Sequence, residues 1–181
     1  MYDPKTARWS LIDTCFTTQH LYFARDENNT LWTSAGSPDS GVVGWLNTKV
    51  FDETHDEAKS QGWTAFILDT NGNGKRDAYV EPNQPVYPTK DKRIAGGLYS
   101  IAPAPDGSVW GSVLGFPGSV IRVTPGSNPP ETSLAEVFEL PMKGASYGER
   151  WPRPPPSLPR TSPIRRPGWV PCSRPRSRRG C

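Results

Sequence analysis

Histidine, methionine and cysteine are scarce in this chain: two His, two Met and three Cys among 181 residues. Cys15 stands alone in the body and Cys172 and Cys181 lie near the C-terminus, spacings that make neither a disulfide framework nor a zinc site. Cys15 reads as a small buried apolar residue. No apolar run approaches the roughly 20 residues of a spanning helix, so no membrane span is expected. The opening "MYDPKTARWS" lacks the charged-then-apolar layout of a signal peptide. Either the protein is cytoplasmic, or this chain starts inside a longer one. There is no Gly-rich phosphate loop, no CxxC pair and no nucleophile elbow, which removes the usual signatures of nucleotide, thiol-redox and α/β-hydrolase chemistry.

Hydrophobic content is also low, at 34%, while glycine and proline are abundant, at 17 and 21 residues. That balance favours a loop-rich, strand-rich fold over a helical one. The net charge of +3 averages two unlike segments. Residues 1–143 hold twelve Lys and Arg against seventeen Asp and Glu; residues 144–181 hold nine Arg against one Glu. The body is acidic and the tail strongly basic.

The body reads as all-β. "HLYFAR" (20–25), "TLWTS" (30–34), "GVVGWLN" (41–47), "WTAFIL" (63–68), "GLYSIA" (97–102), "SVWGS" (108–112), "SVIRV" (119–123) and "AEVFEL" (135–140) are short and rich in β-branched and aromatic residues. Gly, Pro, Asn and Asp clusters bound them. The one helical hint is "ETHDEAKS" (53–60), about two turns. Two segments repeat: "LYFARDENNTLWTS" (21–34) and "LYSIAPAPDGSVWGS" (98–112). Each has an aromatic strand, an acidic turn residue (Asp26, Asp106), then aliphatic–Trp–x–Ser, and a further apolar strand follows. Trp32 and Trp110 are 78 residues apart, about two propeller blades of 40 residues. Radial stacking of four-stranded blades buries faces that one sheet cannot bury alone, with a Trp filling each wedge. The alternative is a β-sandwich in which these Trp are ordinary core aromatics.

The stretch 98–141, through Ile101, "PDG" (105–107), "VWGS" (109–112), "VIRVTP" (120–125) and "FELP" (138–141), resembles a blade of the bacterial virginiamycin B lyase (streptogramin lyase) type of β-propeller. The likeness covers this blade well and residues 20–50 loosely. It implies a partial β-propeller of about three four-stranded blades over 1–143. Closed propellers need four to eight, so the chain is expected to be a piece of one. In the lyases a magnesium ion and a catalytic His open a cyclic depsipeptide by elimination. Here His20 and His55 fall on no lyase catalytic motif, and no catalytic residue is assigned.

The stretch "DTNGNGKRD" (69–77) is the strongest candidate for chemistry. Calcium takes six to eight oxygen ligands. Asp69, Asn71 and Asn73 stand at positions 1, 3 and 5 of a tight loop, whose alternate side chains converge on an ion. Gly74 permits the sharp turn at position 6. The Lys75 carbonyl follows at position 7 and Asp77 closes at position 9. Position 12 is Val80, so an EF-hand is not expected. The pattern Asp69-x-Asn71-x-Asn73-Gly74-x-x-Asp77 between two strands resembles the calcium loops of integrin α-subunit propellers. It implies a structural calcium site of micromolar to millimolar affinity, weakened by Asn for Asp and by neighbouring Lys75 and Arg76. The alternative is a bare turn, since "NGNG" is a strong turn former.

Residues 144–181 contain nine Pro, nine Arg and five Ser but no Lys and no Asp. Such composition cannot bury enough apolar surface to order itself, and a disordered tail is expected. It suits non-specific nucleic-acid or anionic-surface binding, or, through "PRPPPSLP", an aromatic peptide groove. It also has the composition of a GC-rich gene read out of frame. Three functions follow as expectations. The first is a non-catalytic binding or scaffold propeller with a calcium loop and an unidentified ligand or protein on its face. The second is a lyase-like enzyme completed by further blades. The third is nucleic-acid binding through the tail. A calcium loop of modest charge suits a periplasmic or extracellular parent.

Overall fold

A computed structural model describes residues 1–14, 16–35, 41–113 and 118–139. They fall within one compact unit, Met1–Glu149. The readings made of Cys15, Cys172, Cys181 and the tail 144–181 lie outside the described residues.

The described residues are mostly β, in three sheets. β1 (Tyr2–Asp3) and β2 (Arg8–Trp9) form a hairpin of their own, with the Tyr2 and Trp9 rings 4.9 Å apart. A four-stranded antiparallel meander follows in chain order: β3 (Leu21–Phe23), β4 (Thr30–Ser34), β5 (Val42–Asn47) and, after α1 (Thr48–Thr54) and α2 (Glu57–Ser60), β6 (Gln61–Ala65). The rest of the chain builds a seven-stranded sheet from β7 (Ile67–Leu68), β8 (Tyr79–Val80), β9 (Asp91–Arg93), β10 (Ala102–Pro103), β11 (Val109–Val113), β12 (Ser119–Thr124), α3 (Pro129–Thr132) and β13 (Leu134–Glu139), in the order β10-β11-β12-β13-β7-β9-β8. Its first four strands are a second antiparallel meander; β7 joins β13 through one parallel pair, Ala135 with Leu68. The remaining three strands extend this sheet rather than making a separate third four-stranded one among the described residues. No helix among these residues is long and apolar enough to cross a membrane.

Several expected elements differ in detail. "WTAFIL" is split at Phe66, which crosses between sheets. Its N–H donates to Gly41 O at the end of the first meander, and its carbonyl accepts from the Ile94 N–H beside β9. The ring is fully buried, which holds the crossing in place. "LYSIA" contributes only a bridge from Leu98 to Val113 before β10, because Leu98 turns into the core and lies across Gly111. A Cβ on Gly111 would stand 2.6 Å from Leu98 Cδ1 and 2.5 Å from Ser100 O, so only glycine fits. The helical hint at 53–60 becomes two shorter helices. Asn47 caps the first by accepting from the Val50 N–H. His55 ends it in the left-handed region at φ 51°, and Asp56 starts the second by accepting from the Lys59 N–H.

The repeat is real in its turns. Asp26 accepts the N–H groups of Asn28 and Thr30, and Asp106 accepts the N–H and hydroxyl of Ser108, so each carboxylate closes its own hairpin. The two Trp differ in surroundings. Trp32 pairs with Trp45 across β4–β5 at a ring distance of 5.6 Å. It packs in one buried cluster with Val43, Val109, Ile121 and Val123. Side chains alternate across a strand, so Trp110 points to the other face of its sheet from Val109 and Gly111. There it stacks on Phe138 at 5.5 Å and lies under the Arg122 guanidinium. Arg122 is held by Asp106 and Glu136, each at 3.1 Å. The core between the meanders is thus the Trp face of the first against the Trp-free face of the second. A smaller cluster, with Phe16 over Val42, Ala65 and Ile67, covers the back of the first meander.

Candidate metal centre

The 69–77 loop leaves β7 and runs into β8, with β9 between those two strands in the sheet. β9 also fastens the loop's base: the Asp91 N–H donates to Ala78 O, and the Thr70 hydroxyl donates to Lys90 O. Within the loop the chain coils around its own acceptors. The Asp69 carboxylate takes the Gly72 N–H at 2.6 Å on one oxygen and the Gly74 N–H at 2.7 Å on the other. Asn71 Oδ1 takes the Asn73 N–H at 3.0 Å, and Asn73 Oδ1 takes the Lys75 N–H at 2.8 Å. Gly72 and Gly74 sit at φ 76° and 73°, the left-handed conformation that lets alternate residues turn inward.

Asn71, Asn73 and Asp77 meet at one atom. Both side-chain amides donate to Asp77 Oδ2, at 2.8 and 2.6 Å. Those two bonds, Asn71's first, hold the Asp77 carboxyl below its ordinary pKa, with a smaller contribution from the charge of Lys75. Asp69 is tied to the same coil through the two glycine amides. Lys75 enters through its backbone, and its side chain is exposed. Asp69, Asn71, Asn73 and Asp77 each carry a side-chain oxygen of the kind calcium prefers. The amides of both Asn present nitrogen to Asp77 and oxygen to the backbone, so the loop closes on itself by hydrogen bonds alone. Replacing the two amide hydrogens at Asp77 by a cation requires the carbonyl side of each Asn to turn inward. Among the described residues no three His, Cys, Asp or Glu side chains are grouped as a metal cluster.

Asp91, which sequence reasoning passed over, and Arg76, which it read otherwise, complete the surroundings. Asp91 is fully buried. Its Oδ2 accepts the Asp77 N–H at 2.7 Å, and its Oδ1 has no hydrogen-bond partner. It lies 14 residues beyond Asp77 in "TKDKR", where no motif marks it. Arg76 reads in sequence as a charge opposing the ion, but its guanidinium turns away to the seam between the sheets. Nη1 donates to Thr64 Oγ1 on β6 at 2.8 Å, to Ser133 Oγ before β13 at 2.7 Å and to Pro129 O at 3.4 Å. The two hydroxyls are themselves 2.5 Å apart and buried. Burial lowers the Arg76 pKa, and the neighbouring Tyr79 and Asp91 oppose that shift.

The histidines take structural positions. His20 is exposed and lies edge-on to Tyr99 at 4.7 Å; the His55 ring is 3.0 Å from Phe51 O at the helix end. A cleft of about 780 Å³ opens beside the hairpin turns of the two meanders. Tyr22, Phe23, Trp32, Trp45, Pro103 and Pro125 are among its walls. Comparison with protein-family models, with curated proteins and with solved structures finds no match for the chain.

Proposed function

We propose that the chain is a non-catalytic binding or scaffold module built from propeller-type blades, with the 69–77 loop holding a structural calcium ion. The observation that carries the blade reading is the direction of stacking. The Trp32 face of the first meander lies on the face of the second meander opposite Trp110. Equivalent faces therefore point the same way. A sandwich closing on its own two sheets would turn both Trp inward, whereas blades round an axis repeat one direction of packing. The likeness of 98–141 to a streptogramin-lyase-type blade supports the same reading. The cleft has the size of a ligand site and mixes aromatic and proline walls with polar side chains such as Arg25 and Asn28, while His20 and His55 serve ring packing and a helix cap.

The calcium reading is supported by the side-chain oxygens that Asp69, Asn71, Asn73 and Asp77 carry at calcium-loop spacing and by the winding of the loop about Asp69. A bound ion would supply charge neutralisation for Asp69 and Asp77. The chain's own part is to carry the loop on β7 and β8, anchor it on β9 and tie it through Arg76 to the seam. Calcium added to the metal-free chain is expected to raise its melting temperature. With a Kd near 10 μM, 1 mM calcium is about 100 Kd and contributes about 2.7 kcal/mol. Asp69→Ala is expected to abolish the rise. No shift of the wild-type chain at millimolar calcium would sink the ion and leave the hydrogen-bonded turn as the whole account of the loop.

A further inference from the structure

We infer that Asp91 is a sixth, remote ligand of the loop's cation, supplied from β9 rather than from the 69–77 motif. The inference rests on the calcium reading and deepens it. Three observations lead to it. The motif offers five ligands, namely Asp69, Asn71, Asn73, the Lys75 carbonyl and Asp77, and calcium takes at least six. The motif also brings only two carboxylates, Asp69 and Asp77, to a divalent cation, with the Lys75 charge beside them. Asp91 corrects both shortfalls, adding one oxygen and one negative charge.

The second observation is geometric and independent of the motif. The Asp91 carboxylate is wholly buried and is held against the loop's closing residue, with Oδ2 on the Asp77 N–H at 2.7 Å. Its other oxygen has no hydrogen-bond partner. A buried charge with an open lone-pair face is costly unless a counter-charge fills it. The Arg76 charge acts on Asp91 from nearby, but its hydrogen bonds go to Thr64, Ser133 and Pro129 and leave that oxygen unbonded. The third is the anchoring: Asp91 pairs with Tyr79 across β8–β9 and donates its N–H to Ala78 O, so its carboxylate sits at a fixed register beside the loop. A ligand on a strand holds its place better than one on a turn.

The test is calcium titration of the full metal-free chain by calorimetry, with melting curves in EDTA and in calcium, for wild type, Asp91→Asn and Asp91→Glu. Asp91→Asn keeps an acceptor for the Asp77 N–H and removes the charge. It is expected to weaken calcium binding at least tenfold while melting in EDTA no lower than wild type, since the open buried charge is gone. Asp91→Glu keeps the charge and is expected to fall between the two. Wild-type binding with an unchanged Kd in Asp91→Asn overturns this inference and leaves the calcium loop standing. Absence of wild-type binding overturns the calcium reading and this inference with it. Should Asp91→Asn not fold in EDTA, Asp91→Ser is held to the same tenfold criterion.

Discussion

Arg76→Ala is the sharpest probe of how the loop is joined to the sheets. The guanidinium bridges Thr64 on β6 and Ser133 ahead of β13, so it spans the seam between the two meanders. Truncation removes two well-formed charge-assisted bonds, each worth about 1.5–3 kcal/mol at full strength. Two effects reduce the loss. Thr64 and Ser133 still bond each other at 2.5 Å, so neither hydroxyl is orphaned, and Arg76 is only part-buried. The net cost is expected to be about 2 kcal/mol, a melting decrease of roughly 4–8 °C for a chain of this size. Urea unfolding of wild type, Arg76→Ala, Ser133→Ala and the double variant measures it, and the cycle isolates the bridge. Interaction energy of about 1 kcal/mol is expected between Arg76 and Ser133. A single-variant loss below about 0.5 kcal/mol, or additivity in the cycle, would show that the seam is held by its apolar contacts and that the guanidinium rests there without consequence.

The two faces of β12 test the direction of stacking. Ile121 is 2% exposed between the meanders, so Ile121→Ala is expected to cost about 2–4 kcal/mol, while Val120→Ala on the Trp110 face costs under about 1 kcal/mol; similar losses in urea unfolding would refute head-to-tail packing. Asp77 sets an acid limit on the loop. Its folded pKa is lowered from the ordinary 3.8, so its stabilisation is fully present above that value and is lost as pH falls through the depressed folded one. Asp77→Asn is expected to flatten the acid limb of melting temperature against pH below that ordinary value, and an unchanged limb would show that the two Asn amides do not favour the charged carboxylate.

Much of the strand content was legible in the residues. "TLWTS" is β4 without adjustment and "SVIRV" is β12 less its last residue, because β-branched and aromatic runs bounded by turn formers suit an extended, half-buried backbone. The turn roles of Asp26 and Asp106 were legible too, since a carboxylate closing its own turn is a local event. The breaks were not. Phe66 divides an unbroken apolar run because two sheets compete for it, and nothing in "WTAFIL" signals which neighbour each residue will have. β9, "DKR", reads as surface charge; it is a strand because β7 and β8 flank it. Likewise "LYSIA" looks like a strand but spends Leu98 on the core.

The candidate centre divides in the same way. The sequence by itself determined the coil of Asp69, Asn71, Asn73 and Asp77. Spacing and left-handed glycines govern a turn whose partners all lie within nine residues. Only the tertiary structure decided that Arg76 faces the seam, that Asp91 arrives with an open oxygen, and that Trp32 is buried while Trp110 lies on an outer face. The physical reason is range. Turn geometry is set by neighbouring dihedrals, whereas burial and charge pairing depend on which distant strands stack, and two segments alike in sequence take different surroundings according to their place in the stack.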